Sequence, residues 1–209
     1  LKNAMSGSYY SYANVAADIL KADHYAIGNG AWRFGENTGA AGDTRYLGYI
    51  YEKNSMNLNL GSYDFAWQPD VIVINLGTND ANQYTFTGTE TDQEIWSADM
   101  AALLTMVRTH NPNARIFWAY GAMEDVTENA TKDVVVPLIQ NTIEAYNTAS
   151  GDSVTYVHVT NDNAGVYNHP TREGHIVIGE EVAAAISGVA TSRLEAETDS
   201  IYWRYQNIE

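Results

Sequence analysis

The apolar positions of this chain follow two rhythms. Short unbroken runs end abruptly at Gly or Asn, and longer stretches place apolar residues three and four apart. The clearest run is Val71–Asp80, VIVINLGTND, which breaks off at Gly77-Thr78-Asn79-Asp80. Such a run predicts a strand buried on both faces, hence a central strand of a parallel sheet. Pro69 starts this strand, which spans Asp70–Leu76. Similar reasoning predicts strands at His24–Ile27, Ala114–Tyr120 and Val154–Val159, and a weaker one at Arg193–Thr198. Helical periodicity marks Ser8–Lys21, with Tyr9, Tyr12, Ala13, Ala16, Ile19 and Leu20 on one face. It also marks Asp92–His110, Lys132–Thr148 and Thr171–Val189, the first of these stopped by Asn111-Pro112-Asn113. Glu36–Phe65 is rich in Gly, Asn and Tyr and reads as an irregular insertion with short strands. Strands alternating with helices of this length imply βαβ crossovers and a doubly wound α/β sheet.

Composition narrows the picture. A chain of 209 residues with 45% hydrophobic content is expected to form a single domain, 1–209, with a full core. Its formal charge of −15 argues against nucleic acid or an anionic membrane as partner, because the long-range field repels both. The absence of cysteine excludes disulfides, thiolate metal sites and a Cys nucleophile. No apolar run reaches the ~18 residues of a membrane span, and no signal peptide is visible, though a mature chain would have lost one. The 15 Tyr and 5 Trp suit either core packing or stacking on sugar rings. A secreted protein acting on a neutral polymer fits these properties.

Candidate chemistry gathers at the ends of the predicted strands. In open α/β sheets the loops at the carboxyl ends hold the ligand, which places Asn79 where its amide can donate into a pocket. The plain alternative is that Asn79 and Asp80 only cap the next segment or close a turn. His169 precedes Pro170, which suits the start of the last helix, so His169 sits on the approach loop where an imidazole can act as general base. His175 lies inside that helix and reads as packing or surface. His24, His110 and His158 show no metal-ligand spacing, so no metal and no cofactor is expected. A base of this kind needs a nucleophile, and Ser200 in Thr198-Asp199-Ser200-Ile201 follows a possible strand. A serine on a tight turn exposes both its hydroxyl and its own N–H. Gly28 offers a second N–H and Asn79 a third donor, together an oxyanion hole for acyl transfer.

These residues resemble the blocks of the SGNH (GDSL) hydrolase superfamily, and most closely the acetyl-xylan-esterase-type carbohydrate esterases of the second esterase family. Trp67–Asp80, WQPDVIVINLGTND, is similar to that family's third block, and His169–Gly174, HPTREG, to its last. Ser8–Asn14, SYYSYAN, is similar to the start of helix one, and Gly28–Arg33, GNGAWR, more loosely to the second block. The order departs from the family. Its first block, Gly-Asp-Ser-Ile, comes ahead of helix one, whereas here Arg193–Asn207, RLEAETDSIYWRYQN, resembles that block at the other end of the chain. A circular permutation follows as the expectation, with the nucleophile strand at 193–201. The competing reading is a chain cut after block one, with TDSI a coincidence. Thr198 stands where the family has Gly, and Glu195 and Glu197 stand on a strand expected to be apolar. Gly42-Asp43-Thr44 also looks like a nucleophile turn, but no apolar strand precedes it and Thr replaces Ser.

The resemblance implies a three-layer α/β/α sandwich with a five-stranded, flavodoxin-like parallel sheet in permuted order. It implies a serine esterase that removes O-acetyl groups from a plant polysaccharide such as xylan or glucomannan, through an acyl-enzyme on Ser200. The superfamily usually places an Asp three residues before the histidine; this chain has Val166. Asp162 is nearby but off register, so either a backbone carbonyl in Val166–Asn168 orients His169, giving a Ser–His dyad, or an acid comes from elsewhere. The esterase family that this chain resembles includes dyad-type members, which favours the dyad. Trp32, Trp118, Tyr202 and Trp203 are candidates for holding sugar. Two rivals stand beside this reading: a carbohydrate-binding module that lost catalysis, and an esterase acting on free lipids.

Overall fold

A computed structural model describes residues 11–28, 30–53, 61–82, 86–126 and 132–188. The elements are α1 (Tyr12–Leu20), α2 (Leu47–Ile50), β1 (Val71–Ile74), α3 (Thr78–Ala81), α4 (Glu90–His110), β2 (Arg115–Tyr120), α5 (Lys132–Ser150), β3 (Thr155–His158) and α6 (Arg172–Ser187). This is an α/β fold built on a parallel sheet. The strand order is β1-β2-β3, and β1 pairs with β2 in parallel register from Val71–Arg115 to Ile74–Trp118. The contacts divide the chain into two compact units, one holding 11–26, 121–123 and 157–188, the other the described parts of Ile27–Tyr120 and Glu124–Tyr156.

In the larger unit the core gathers around Trp96, Met100, Leu104 and Val107 of α4. Ile116, Trp118 and Tyr120 of β2 and Ile139 and Ile143 of α5 complete it. Phe34 fills the centre, its ring edge-on to Trp96 (4.8 Å) and Trp118 (5.4 Å). Helix α4 starts with a full capping box: the Thr89 hydroxyl accepts from the Asp92 N–H and the Asp92 carboxylate accepts from the Thr89 N–H. The insertion at 36–65 is irregular, as expected, with α2 and two isolated bridges, Arg33–Tyr46 and Lys53–Ser62, in its described part.

In the smaller unit α1 packs on α6. Ser11 caps α1, accepting from the Asn14 N–H, and Lys21 closes it in the left-handed region at φ 54°. The buried positions are Val15, Ala16, Ala17 and Ile19: Ala16 and Ile19 lie on the expected face, Val15 and Ala17 widen it, and Tyr12, Ala13 and Leu20 are only partly buried. Val15 is buried against the partner helix. A Cβ on Gly179 would come within 2.6 Å of the Val15 Cβ, so only glycine lets the two helices approach so closely there.

Three expectations change. Residues 24–27 pair with no strand among the described residues; residues 21–28 are exposed, with Tyr25 79% and Ile27 59% accessible. An extended segment becomes a strand only when a neighbour takes up its N–H and C=O groups. Three strands of the expected five are therefore seen, and Arg193–Thr198 lies outside the described residues. The last helix begins at Arg172 with Thr171 as its cap, which places Pro170 ahead of the helix and not in its first turn.

Candidate active site

Within the larger unit the end of β1 builds one half of the candidate chemistry. Gly77 adopts φ 126°, and a Cβ there would sit 3.2 Å from the Tyr120 ring and 3.4 Å from Trp96. The positive φ favours glycine here, and the Tyr120 ring would have to give by a few tenths of an ångström to admit a Cβ. Asn75, Leu76 and Gly77 link β1 to α3, and Gly77, as the N-cap of α3, sets Asn79 and Asp80 in that short helix, shortly after the strand end. Asn79 donates from Nδ2 to the Trp32 carbonyl at 2.9 Å. A carbonyl only accepts, so the amide orientation is set, and its second N–H is not used by this bond.

Asp80 does more than cap a turn. It is fully buried and accepts from the Phe34 N–H at 3.1 Å to each oxygen, the Gly35 N–H at 3.1 Å and the Thr38 hydroxyl at 2.6 Å. Burial pushes its carboxyl up to about 6, against the pull of these donors and of the Arg33 charge. The residue thus fastens the 34–38 loop to the end of β1. An acid following Asn at the end of an apolar run was visible in the sequence, but its partners lie more than forty positions away and carry no motif.

The same loop holds a buried cation. Arg33, 1% exposed, donates to the Gly35 carbonyl (3.1 Å) and the Asp43 carbonyl (3.3 Å), and its Nη2 lies 3.4 Å from Asp43 Oδ2. Asp43 also receives Arg45, whose side-chain hydrogen bond is the largest force holding its carboxyl well below the usual range. Gly42-Asp43-Thr44 is therefore an ion-pair anchor, as its poor match to a nucleophile turn suggested.

The smaller unit carries the imidazole. Asp162 organises the loop before α6, accepting from the Ala164 N–H (3.0 Å), the Thr171 N–H (2.9 Å) and the Thr171 hydroxyl. These bonds occupy Asp162 and hold its carboxyl below the ordinary value, the Thr171 hydroxyl being the largest cause. His169 is held instead by backbone. Its Nδ1 lies 3.2 Å from the Val166 carbonyl and 3.0 Å from the Tyr167 carbonyl. Both are acceptors, so Nδ1 carries the proton, and in the neutral ring Nε2 keeps its lone pair. The turn that aims these carbonyls is strained: Tyr167 and Asn168 stand at φ 58° and 59°, a region that Asn tolerates and Tyr rarely visits. His175 stacks on Tyr12 (6.2 Å, 16° between planes) and is half-buried. Burial pushes its pKa down, Asp162 pulls it up and the His169 charge pushes it down again.

The other expected site residues divide clearly. Trp32 is partly buried in the loop beside Asn79. Gly28 is exposed, and a Cβ there would meet nothing within 4 Å, so no packing requires glycine at that position. Trp118 cannot hold a sugar: it is 0% exposed and packed against Phe34, because β2 is buried along nearly its whole length. Ser200, Tyr202 and Trp203 lie outside the described residues. No cluster of His, Asp or Glu suited to a metal ion occurs among the described residues, and none of the described helices is long and apolar enough to cross a membrane.

Residues 4–177 match the GDSL-like lipase/acylhydrolase family. No curated protein matches the chain. Among solved structures it is similar to an acetyl xylan esterase, Est2A, from the rumen bacterium Butyrivibrio proteoclasticus, at 27% identity and a TM-score of 0.71, covering 87% of this chain and 56% of that one. It is similar to a family two carbohydrate esterase from Clostridium thermocellum in complex with cellohexaose, at 26% identity and TM-score 0.71, covering 87% and 55%. It is also similar to a family 2 carbohydrate esterase with a carbohydrate binding domain from Corynascus thermopiles, at 26% identity and TM-score 0.68, covering 86% and 56%. The chain thus spans a little over half the length of these relatives. The family match runs across α1, the GTND turn and the histidine loop, and the chain belongs to the GDSL-like lipase/acylhydrolase family, a family of carboxylic ester hydrolases.

Proposed function

We propose that this chain is a serine esterase that removes O-acetyl groups from a plant polysaccharide, xylan or glucomannan, outside the cell. The observation that carries the reading is the Nδ1 of His169 held by the Val166 and Tyr167 carbonyls, which leaves Nε2 able to take a proton. Ser200 Oγ attacks the acetyl carbonyl while its proton passes to His169 Nε2. The oxyanion is met by the N–H groups of Ser200 and Gly28 and by the free N–H of Asn79. The sugar hydroxyl leaves with the proton from His169, and water, deprotonated by the same ring, then releases acetate. A dyad of this kind uses carbonyls where a triad uses a carboxylate: they set the tautomer but stabilise imidazolium less. No cofactor enters the scheme. Trp32, beside Asn79, is the described aromatic best placed to meet a sugar, with Tyr202 and Trp203 as the other candidates.

The acetyl and polysaccharide assignments draw on the names of the relatives, an acetyl xylan esterase and a carbohydrate esterase complexed with cellohexaose. The Ser200 assignment also carries the circular permutation, because the segment resembling the first block follows the histidine block. The test is hydrolysis of an aryl acetate by the wild type, Ser200→Ala and His169→Ala. Loss of ~1000-fold or more in kcat for both variants supports the scheme. Equal activity of Ser200→Ala and wild type places the nucleophile elsewhere. An inactive wild type that still binds polysaccharide establishes the second reading, a binding module, which the lack of any carboxylate bonded to His169 among the described residues favours. Faster cleavage of long acyl esters than of acetate would move the substrate to lipids.

A further inference from the structure

We propose that Asp80 is a positioning residue for the oxyanion donor Asn79, acting through the 32–38 loop; this deepens the reading above and rests on it. The geometry forms one circuit. Asp80 ties down Phe34, Gly35 and Thr38. Two residues upstream of Phe34, the Trp32 carbonyl receives the Asn79 amide at 2.9 Å. Asn79 and Asp80 are adjacent in α3, so the circuit closes through one peptide bond. Asn79 has one loop contact that sets its amide plane, and that contact is only as fixed as the loop. Within the described residues the loop's hydrogen bonds to the end of β1 run through this one carboxylate and the Asn79 amide.

Burying an acid among three donors is a costly way to hold a loop. The same loop is also held by apolar packing, through the Phe34 ring against Trp96 and Trp118. What the carboxylate adds is direction: charge-assisted bonds from the Phe34 and Gly35 N–H groups fix where the backbone points, and the Thr38 hydroxyl adds a third donor, whereas apolar contact fixes only depth. An oxyanion hole depends on direction, because a donor misplaced by a fraction of an ångström loses most of its effect.

The test is a double-mutant cycle on an aryl acetate with Asp80→Asn, Asn79→Ala and the double variant. Asp80→Asn keeps the shape but sets an amide donor against the Phe34 N–H. Its kcat is expected to fall ~10- to 100-fold with KM within ~3-fold, since the defect bears on the transition state. In the Asn79→Ala background the same change is expected to cost less than ~2-fold, because the group it positions is gone. Thr38→Val, which deletes one hydroxyl and leaves the carboxylate, serves if Asp80→Asn does not fold; a drop of ~3- to 10-fold that vanishes without Asn79 carries the same meaning. Additive losses would overturn the inference, as would unchanged kcat in Asp80→Asn or a loss confined to KM. Full activity of Asn79→Ala alone overturns the oxyanion assignment itself, and the positioning role with it. That outcome is read from the single variant, so the two failures are separable.

Discussion

The Tyr167 carbonyl oxygen stands 3.0 Å from Nδ1 of His169, two residues along the chain, and Tyr167 reaches that place only by adopting φ 58°. The imidazole is thus oriented by strained backbone in the position where the superfamily usually supplies an aspartate. Asp162, the nearest acid in sequence, is committed to Ala164 and Thr171.

This relationship is open to a backbone test. Tyr167→Gly adopts φ 58° freely and keeps the carbonyl, so kcat on an aryl acetate is expected to stay within ~3-fold of wild type. Tyr167→Pro cannot, because its ring holds φ near −65°, and kcat is expected to fall ~100-fold or more. Circular dichroism should show both folded. Equal activity of the two variants would mean that the turn does not orient the ring.

Gly77→Ala should be destabilising well away from any change in charge. It forces a Cβ into the left-handed region and 3.2 Å from the Tyr120 ring. A loss of about 2–3 kcal/mol in urea unfolding is expected, from strain together with overpacking.

The buried Asp80 gives stability a pH dependence of unusual sign. Its folded value, pushed up to about 6, lies above the ordinary 3.8. Between these values the folded chain binds the proton more tightly, so stability falls as pH rises from 4 to 6. The groups facing it are Arg33, Thr38 and the Tyr120 phenol, the last also pushed up by burial. The advantage of wild type over Asp80→Asn in chemical unfolding is expected to shrink by up to about 3 kcal/mol across that window. A constant difference would show that Asp80 does not titrate there.

Arg108 and Asp152 make the opposite case. Two bonds of 2.7 Å join them, and Arg108 also donates to the Asn111, Pro112 and Ala114 carbonyls, closing the turn between α4 and β2. Burial raises the Asp152 carboxyl, but the Arg108 hydrogen bond, the Ser153 N–H and the Arg108 charge outweigh it and leave the value lowered. The stabilisation is therefore present above the ordinary 3.8 and lost as pH falls through the lower folded value. Arg108→Ala is expected to cost about 1–3 kcal/mol near pH 7, and less near pH 2–3, by thermal unfolding.

Local pattern made much of this molecule legible. The run VIVI predicted β1, the Asn-Pro-Asn stop predicted the end of α4, and HPTREG placed His169 just ahead of α6. Each is a short-range signal: an apolar period, a helix stop, a motif of neighbouring residues. The segment His24–Ile27 failed because its apolar character was local while strand pairing needs a neighbour. Trp118 failed because an aromatic side chain reads alike whether it faces sugar or core.

From the chain of letters alone came the α/β alternation, the family and the imidazole loop, since these depend on side chains close in sequence. Only the folded molecule assigned Asp80 to Phe34, Gly35 and Thr38 and Arg33 to Asp43, and it named Val166 and Tyr167 as the carbonyls at the His169 ring, an arrangement that the sequence had offered as one of two alternatives. Such partnerships depend on burial and on the direction of individual bonds. Those arise when distant segments or an uncommon turn bring donors and acceptors together, and no periodicity records them.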